Sequence, residues 1–114
     1  MQLKTLTIKK FHDGLLKKDF SALEVTKEFF KKISVEDSKI GAFLSLDEKG
    51  AINQARAVDA SVANGESVGT LAGVPLAIKD NMLIKGQPAT AASKILEKYV
   101  ASYDAGVIQK LKTE

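Results

Sequence analysis

Residues 71–81 read Leu-Ala-Gly-Val-Pro-Leu-Ala-Ile-Lys-Asp-Asn, and this stretch decides how the second half of the chain is interpreted. Pro75 is compatible with the first position of a β-strand, where no ladder hydrogen bond is lost. Period-2 alternation then places Leu76 and Ile78 on one face of the strand and Lys79 on the other. The stretch therefore predicts a strand that ends at Lys79 and opens into a turn at the Asp-Asn pair.

Lys79 is the ionisable residue of greatest interest in the chain. Strand ends that open into loops are where α/β folds place their chemistry. If the side chain is partly desolvated, the neutral amine is favoured and can act as a general base. The alternative is an ordinary surface lysine at a strand end, and composition alone favours this alternative.

Residues 1–65 are predicted to be mainly helical. Apolar residues recur there at helical spacing, and the second helix has a capping-box signal, Ser21 followed by Glu24. The apolar run at residues 42–46 has a strand-like pattern and is followed by Asp47, a plausible N-cap. The three predicted helices cover about Thr5–Lys18, Ser21–Val35 and Asp47–Asn64.

Residues 66–114 are predicted to form an α/β segment. A short strand at residues 82–84 and a helical stretch at residues 91–99 are expected after the Lys79 strand. Asp104 is predicted to cap a last helix, in which no stop signal occurs before Glu114. The segment therefore reads as part of an incomplete domain.

The composition is that of a water-soluble globular protein. The chain has 114 residues, of which 45% are hydrophobic and 27% charged, and this balance argues against a disordered or collagen-like chain. It contains no cysteine, so disulfides, thiolate nucleophiles and cysteine metal sites are excluded. No secretory signal and no membrane-spanning apolar run is visible. We expect a cytoplasmic protein.

Positive charge is concentrated near the N-terminus. The net charge is +3, yet residues 1–32 hold eight lysines against four acidic residues. Such a surface could bind an acidic partner or nucleic acid. The alternative is the solvated face of two amphipathic helices, which the absence of arginine and of interleaved aromatic residues favours.

Residues 71–81 resemble the lysine motif of the amidase signature family. Further stretches resemble the A subunits of glutamyl-tRNA(Gln)/aspartyl-tRNA(Asn) amidotransferases, so that the resemblance runs from about Leu6 to Lys112. These stretches are Ile40–Leu44, Ala55–Asp59, Ala92–Leu96 and Tyr103–Ala105. The resemblance implies that residues 1–114 are the N-terminal part of a single amidase-type domain. The implied fold is α/β, with helices in residues 1–65 and the first strands of a mixed sheet in residues 66–114.

The resemblance implies a Ser–cis-Ser–Lys triad in which Lys79 is the base. In that family both serines lie further along the chain, in a glycine- and serine-rich segment that also forms the oxyanion hole. Strand alternation would turn Asp80 away from Lys79. None of the serines in this chain lies in such a segment, so residues 1–114 alone are expected to be inactive. These serines are Ser21, Ser34, Ser38, Ser45, Ser61, Ser67, Ser93 and Ser102.

The resemblance further implies a glutaminase that hydrolyses glutamine and supplies ammonia for the amidation of Glu-tRNA(Gln) or Asp-tRNA(Asn). The implied partners are the B and C subunits and, indirectly, aminoacyl-tRNA, with ATP and Mg used at a partner subunit. No cofactor, metal or membrane is expected for this chain itself. Two alternatives stay open: an amidase of small amides, and a non-catalytic basic binding module. The module would use Lys9, Lys10, Lys17, Lys18, Lys31 and Lys32.

Overall fold

The computed structural model describes residues 2–114, which form two compact units, one ending at Pro75 and the other beginning at Leu76. The first unit contains a short 3₁₀ helix, Leu3–Thr5, and three α-helices. These are α1 (Ile8–Lys17), α2 (Ala22–Ile40) and α3 (Glu48–Ala63). The second unit contains a 3₁₀ helix, Lys94–Leu96, and α4, Gly106–Lys112. Among residues 2–114, no helix is long and apolar enough to cross a membrane.

Helices α1, α2 and α3 bury one apolar cluster. Phe11 and Leu15 of α1 are each 2% exposed, and Val25 of α2 is fully buried. Ala22 and Ala55 bring α2 and α3 close together at the same cluster. Removing these side chains from water is the main force that holds the three helices together.

The N-terminus of α2 is capped from two directions. Ser21 Oγ accepts a hydrogen bond from the Glu24 amide at 3.0 Å, and Glu24 Oε2 accepts one from the Ser21 amide at 2.8 Å. The Asp59 carboxylate of α3 accepts the Ala22 and Leu23 amides at 2.7 and 3.0 Å. The predicted capping box is confirmed. The second cap joins α3 to the otherwise unpaired amides at the start of α2.

Replacing Asp59 by alanine should destabilise the first unit. Two amides of α2 would lose a charged acceptor, which corresponds to about 2 kcal/mol of unfolding free energy. Urea unfolding of the variant measures this loss. Asp13→Ala, which removes an exposed carboxylate on α1, is the matched control and should change stability by less than about 0.5 kcal/mol. An Asp59→Ala protein as stable as the control would contradict the assignment of the cap.

Near the start of the 71–81 stretch, the chain lies directly against α2 and α3 at Gly73. Gly73 has a φ of +77°, and a Cβ added there would lie 2.8 Å from the Ala22 Cβ and 3.3 Å from Val58 Cγ1. Val74 packs against the same apolar cluster. A residue without a side chain is therefore required at Gly73, both for its backbone conformation and for the close contact.

Two short segments of the second unit are paired through their backbones. The Gly86 amide donates to the Ala101 carbonyl at 2.8 Å, and the Ala101 amide donates to the Gln87 carbonyl at 3.0 Å. The Ala89 amide donates to the Tyr99 carbonyl at 3.3 Å. Both alanines are buried, at 4% and 3% exposure. This pairing links residues 86–89 to residues 99–101 within the second unit.

The first strands of a mixed sheet that were predicted for residues 66–114 are not seen among residues 2–114. Within residues 2–114 the β-structure is one isolated antiparallel bridge between Pro88 and Val100. Residues 42–46, 75–79 and 82–84 are not in strands, although the Leu83 carbonyl accepts the Ala105 amide at 2.9 Å. A strand exists only when a neighbour satisfies its backbone groups, so an apolar alternation without a neighbour remains irregular.

Helix α2 is longer than predicted. The sequence placed its end near Val35, but the helix continues to Ile40. Gly41 ends it in the left-handed conformation, with its amide donating to the Asp37 carbonyl at 2.7 Å. The Asp37 carboxylate accepts the Ala42 amide, also at 2.7 Å. The polar residues that suggested a turn lie inside the helix, because the glycine that can stop it comes later.

Two predictions in the second unit are wrong in detail. The expected helical stretch at residues 91–99 is reduced to the 3₁₀ turn Lys94–Leu96. The N-cap of α4 is Ala105, which makes no side-chain cap. Asp104 instead accepts the Lys85 amide at 2.8 Å and the Lys112 ammonium at 2.6 Å, so its carboxylate is already occupied. The prediction of α3, with Asp47 as its N-cap, is confirmed.

Candidate active site

Lys79 stands at the end of an extended segment and the beginning of a turn. Residues 74–79 have no regular hydrogen-bonding pattern, and the Met82 amide donates to the Lys79 carbonyl at 3.0 Å. The Lys79 side chain is exposed in this structure. The turn expected after Lys79 is therefore present, although the strand expected before it is not.

Asp80 is fixed by the residues around Thr90. The Asp80 carboxylate accepts hydrogen bonds from the Thr90 hydroxyl and, at 3.0 Å, from the Thr90 amide. The Asp80 carbonyl accepts the Ala91 amide, also at 3.0 Å. We call this group of residues, Asp80 with Thr90, Ala91 and Ala92, the Asp80 clamp.

The Asp80 clamp depends on an unusual backbone conformation. Ala91 and Ala92 have φ angles of +46° and +58°, both left-handed. For a residue with a side chain this conformation costs about 1–2 kcal/mol, so the contacts around it must hold it in place. The Thr90 amide binds the Asp80 carboxylate at 3.0 Å, and the Ala91 amide that follows it binds the Asp80 carbonyl, also at 3.0 Å.

Hydrogen bonding holds the pKa of Asp80 below its ordinary value of 3.8. The Thr90 hydroxyl is the largest cause, followed by the Thr90 amide, while partial burial acts in the opposite direction. The amides of Ala92 and Ala91 add smaller effects in the same direction as Thr90. Asp80 is therefore an acceptor at neutral pH and carries no proton to donate.

The Asp80 clamp should weaken only in acid. A carboxylate whose folded pKa is depressed stabilises the fold fully above its unfolded pKa, and this contribution is lost as pH falls through the folded pKa. The Thr90 amide resonance, followed by NMR, should therefore shift at a pH below 3.8. In Asp80→Asn that transition should disappear. A Thr90 transition at or above 3.8 would contradict the geometry of the clamp.

Lys79 lines neither of the two depressions described next. Two shallow depressions of about 450 Å³ each lie in the first unit, one between residues 2–4 and α2 and the other between α2 and α3. Within residues 2–114, no group of three His, Asp or Glu side chains is arranged to hold a metal. No described residue is therefore assigned to a metal.

Two of the serines considered as nucleophiles have local structural partners. Ser21 caps α2, and the Ser34 hydroxyl donates to the Lys31 carbonyl at 2.8 Å. The role of Lys79 as a base stays a prediction, because the geometry of residues 2–114 does not assemble a triad around it.

The basic residues near the N-terminus lie on α1 and α2. Lys9, Lys10, Lys17 and Lys18 are exposed, as expected for solvated helix faces. Lys32 lies 3.9 Å from the Glu36 carboxylate, so part of the positive charge is paired within α2. Exposed lysines at these positions are compatible both with a solvated helix face and with a basic binding surface.

Sequence reasoning missed the partnership between Asp80 and Thr90. The two residues are ten positions apart, and no periodic pattern connects them. Asp-Asn after an apolar run predicted a turn, which is correct, but not the acceptor role of the carboxylate. The sequence signal that could have suggested this role is the position of Asp80 directly after Lys79, the candidate base.

Comparison with known proteins assigns the chain to a family. The family model described as Amidase matches residues 24–114. The glutamyl-tRNA(Gln) amidotransferase of Fusobacterium nucleatum has an A subunit that is 46% identical over 109 residues, covering 96% of this chain and 22% of that protein. Its counterpart in Trichormus variabilis is 47% identical over 105 residues, covering 92% of this chain and 22% of that protein. The counterpart in Clostridium botulinum strain Okra is 42% identical over the whole chain and 24% of its own length.

A solved structure has the same fold over nearly the whole chain. It is described as an unexpected vestigial protein complex that reveals the evolutionary origins of an s-triazine catabolic enzyme. The TM-score is 0.88 at 32% sequence identity, covering 94% of this chain and 24% of the solved one. This chain thus spans less than a quarter of the length of the relatives named above. It belongs to the amidase family and is closely similar to the N-terminal portion of glutamyl-tRNA(Gln) amidotransferase A subunits.

Proposed function

We propose that this chain is the N-terminal portion of the glutaminase subunit of a tRNA-dependent amidotransferase. The observation that carries the proposal is the 42–47% identity to A subunits over 92–100% of the chain. The Amidase match over residues 24–114 includes Lys79 and the whole Asp80 clamp. The relatives are named as subunits of a glutamyl-tRNA(Gln) amidotransferase, which supports an amidotransferase over an amidase of small amides.

In this proposal Lys79 is the base of a Ser–cis-Ser–Lys triad. Its neutral amine takes the proton of the relay serine, which in turn takes the proton of the nucleophilic serine. That serine attacks the side-chain amide carbon of glutamine, the C–N bond breaks, and ammonia leaves with the relayed proton. Water then hydrolyses the glutamyl ester and restores the serine.

The serines of the proposed triad are taken from outside residues 1–114. None of the eight serines within these residues lies in a glycine- and serine-rich segment that could form an oxyanion hole. A base without a nucleophile and oxyanion donors cannot perform acyl transfer. Residues 1–114 alone are therefore proposed to be inactive.

The ammonia is proposed to serve a second protein of the same complex. Its partners would be the B and C subunits, and a partner subunit would use ATP and Mg to amidate Glu-tRNA(Gln) or Asp-tRNA(Asn). In this proposal the chain contacts glutamine, meets aminoacyl-tRNA only through its partners, and acts in the cytoplasm. It needs no cofactor of its own, because acyl transfer by a serine requires none.

Ammonia release distinguishes the proposal from its alternatives. The full-length enzyme, in complex with its partners, should release ammonia from glutamine far faster than from acetamide, and the 114-residue chain should release none. Faster hydrolysis of acetamide than of glutamine would favour a small-amide amidase. Absence of hydrolysis of either amide by the complete assembly would overturn the enzymatic proposal.

A further inference from the structure

The Asp80 clamp joins two parts of the second unit immediately beside Lys79. Asp80 uses its carboxylate to bind Thr90 and its carbonyl to bind the Ala91 amide. The side chain and the backbone of one residue therefore hold the same turn, ten residues further along the chain. The proposed proton transfers give this arrangement no task.

A local hydrogen bond also restrains the backbone of Lys79. Its carbonyl accepts the Met82 amide at 3.0 Å, and Asp80 follows directly. The Lys79 amine stands at the end of a flexible four-carbon stem, so its accessible positions are set by where its Cα is held. A general base must come within about 2.6–3.2 Å of the proton that it removes.

The left-handed turn at Ala91 and Ala92 indicates that the Asp80 clamp serves more than local folding. Such a conformation persists only where surrounding contacts over-determine it, and it is concentrated at functional sites. Both alanines are exposed, so burial of their own side chains does not explain it. The hydrogen bonds to Asp80 oppose the strain, together with the turn bond that the Ser93 amide donates to the Thr90 carbonyl at 2.8 Å.

Asp80 is not suited to transfer a proton itself. Its carboxylate oxygens already accept the Thr90 hydroxyl and amide. These bonds lower the pKa of the carboxyl, so the group is ionised at neutral pH and a weak base. What remains for it is a mechanical role.

We propose that Asp80 is a positioning residue for Lys79: by clamping the Thr90–Ala92 turn, it fixes the backbone from which the Lys79 amine reaches its proton donor. This inference rests on the proposed function, in which Lys79 is the base. Loosening the clamp should leave the binding of glutamine unchanged and slow the chemical step.

The test uses the full-length enzyme in complex with its partners and measures kcat and KM for glutamine. Thr90→Val removes only the hydroxyl that binds Asp80, and it should lower kcat about tenfold to a hundredfold with KM unchanged. Thr90→Ser restores the hydroxyl and should recover most of kcat. Thr70→Val, at an exposed threonine outside the clamp, is the control for loss of a hydroxyl.

Two further variants, Asp80→Asn and Lys79→Ala, distinguish failure of the positioning role from failure of the proposed function. Asp80→Asn should lower kcat in the same way, and combining it with Thr90→Val should give a loss smaller than the product of the two single losses, because both variants disturb one contact. If Lys79→Ala is inactive while folded Thr90→Val has normal kcat, or a changed KM alone, the positioning role is overturned and the proposed function stands. If Lys79→Ala is active, the proposed function is overturned and the inference with it.

Discussion

The Gly73→Ala variant is expected to unfold at a much lower urea concentration than the wild type. Gly73 has a φ of +77°, and an added Cβ would lie 2.8 Å from the Ala22 Cβ. Ala22 is fully buried at the start of α2 and cannot move without moving that helix. The left-handed strain and the steric overlap together should lower the unfolding free energy by about 2–5 kcal/mol.

Gly65→Ala separates the two contributions. Gly65 also has a positive φ, of +74°, but no atom lies within 4 Å of an added Cβ. Its replacement should therefore lose only the conformational part, about 1–2 kcal/mol. Equal destabilisation of the two variants would show that the contact between Gly73 and α2 does not form.

The Lys79→Arg variant of the assembled enzyme is expected to be as inactive in glutamine hydrolysis as the Lys79→Ala variant. Arginine keeps the positive charge and most of the length of lysine, but its guanidinium does not give up its proton in a protein. If Lys79 acts as a base, both variants should lose at least about a hundredfold in kcat. If its charge only attracts a substrate or partner, arginine should restore activity while alanine does not. The measurement is the initial rate of ammonia release by the assembled enzyme at saturating glutamine.

The helical half of the chain was predictable because its signals are local. The Ser21 and Glu24 pair identified the start of α2, and Asp47 identified the start of α3. Each signal is completed within three residues, so no knowledge of tertiary structure is needed. The end of α2 was misplaced because polar residues were treated as a turn, whereas the left-handed Gly41 decides where the helix stops.

The second unit was poorly predicted because its structure depends on distant partners. Apolar alternation at residues 75–79 is compatible with a strand, yet strand formation also requires a neighbouring segment to accept its hydrogen bonds. Alanine has no intrinsic tendency toward the left-handed conformation found at Ala91 and Ala92. That turn is hydrogen-bonded to Asp80, ten residues earlier than Thr90, and a single sequence does not reveal such a distant contact.

The site itself was predictable only in part. Residue types and spacing drew attention to Lys79 but favoured a surface lysine, and resemblance to a family motif supplied the catalytic interpretation. The family is now established by the match over residues 24–114, whereas the role of Lys79 stays a prediction. Lys79 is exposed in residues 2–114, so its proposed role as a base requires the two serines of the triad to lie close to it.

The most direct measurement compares two alanine variants of the full-length enzyme, in complex with its partners, in glutamine hydrolysis. Lys79→Ala removes the proposed base, and Lys98→Ala removes an exposed lysine elsewhere in the second unit. We predict that Lys79→Ala loses at least about a hundredfold in kcat while Lys98→Ala keeps the wild-type rate. A Lys79→Ala enzyme that releases ammonia as fast as Lys98→Ala would contradict the assignment of this chain's chemistry to Lys79.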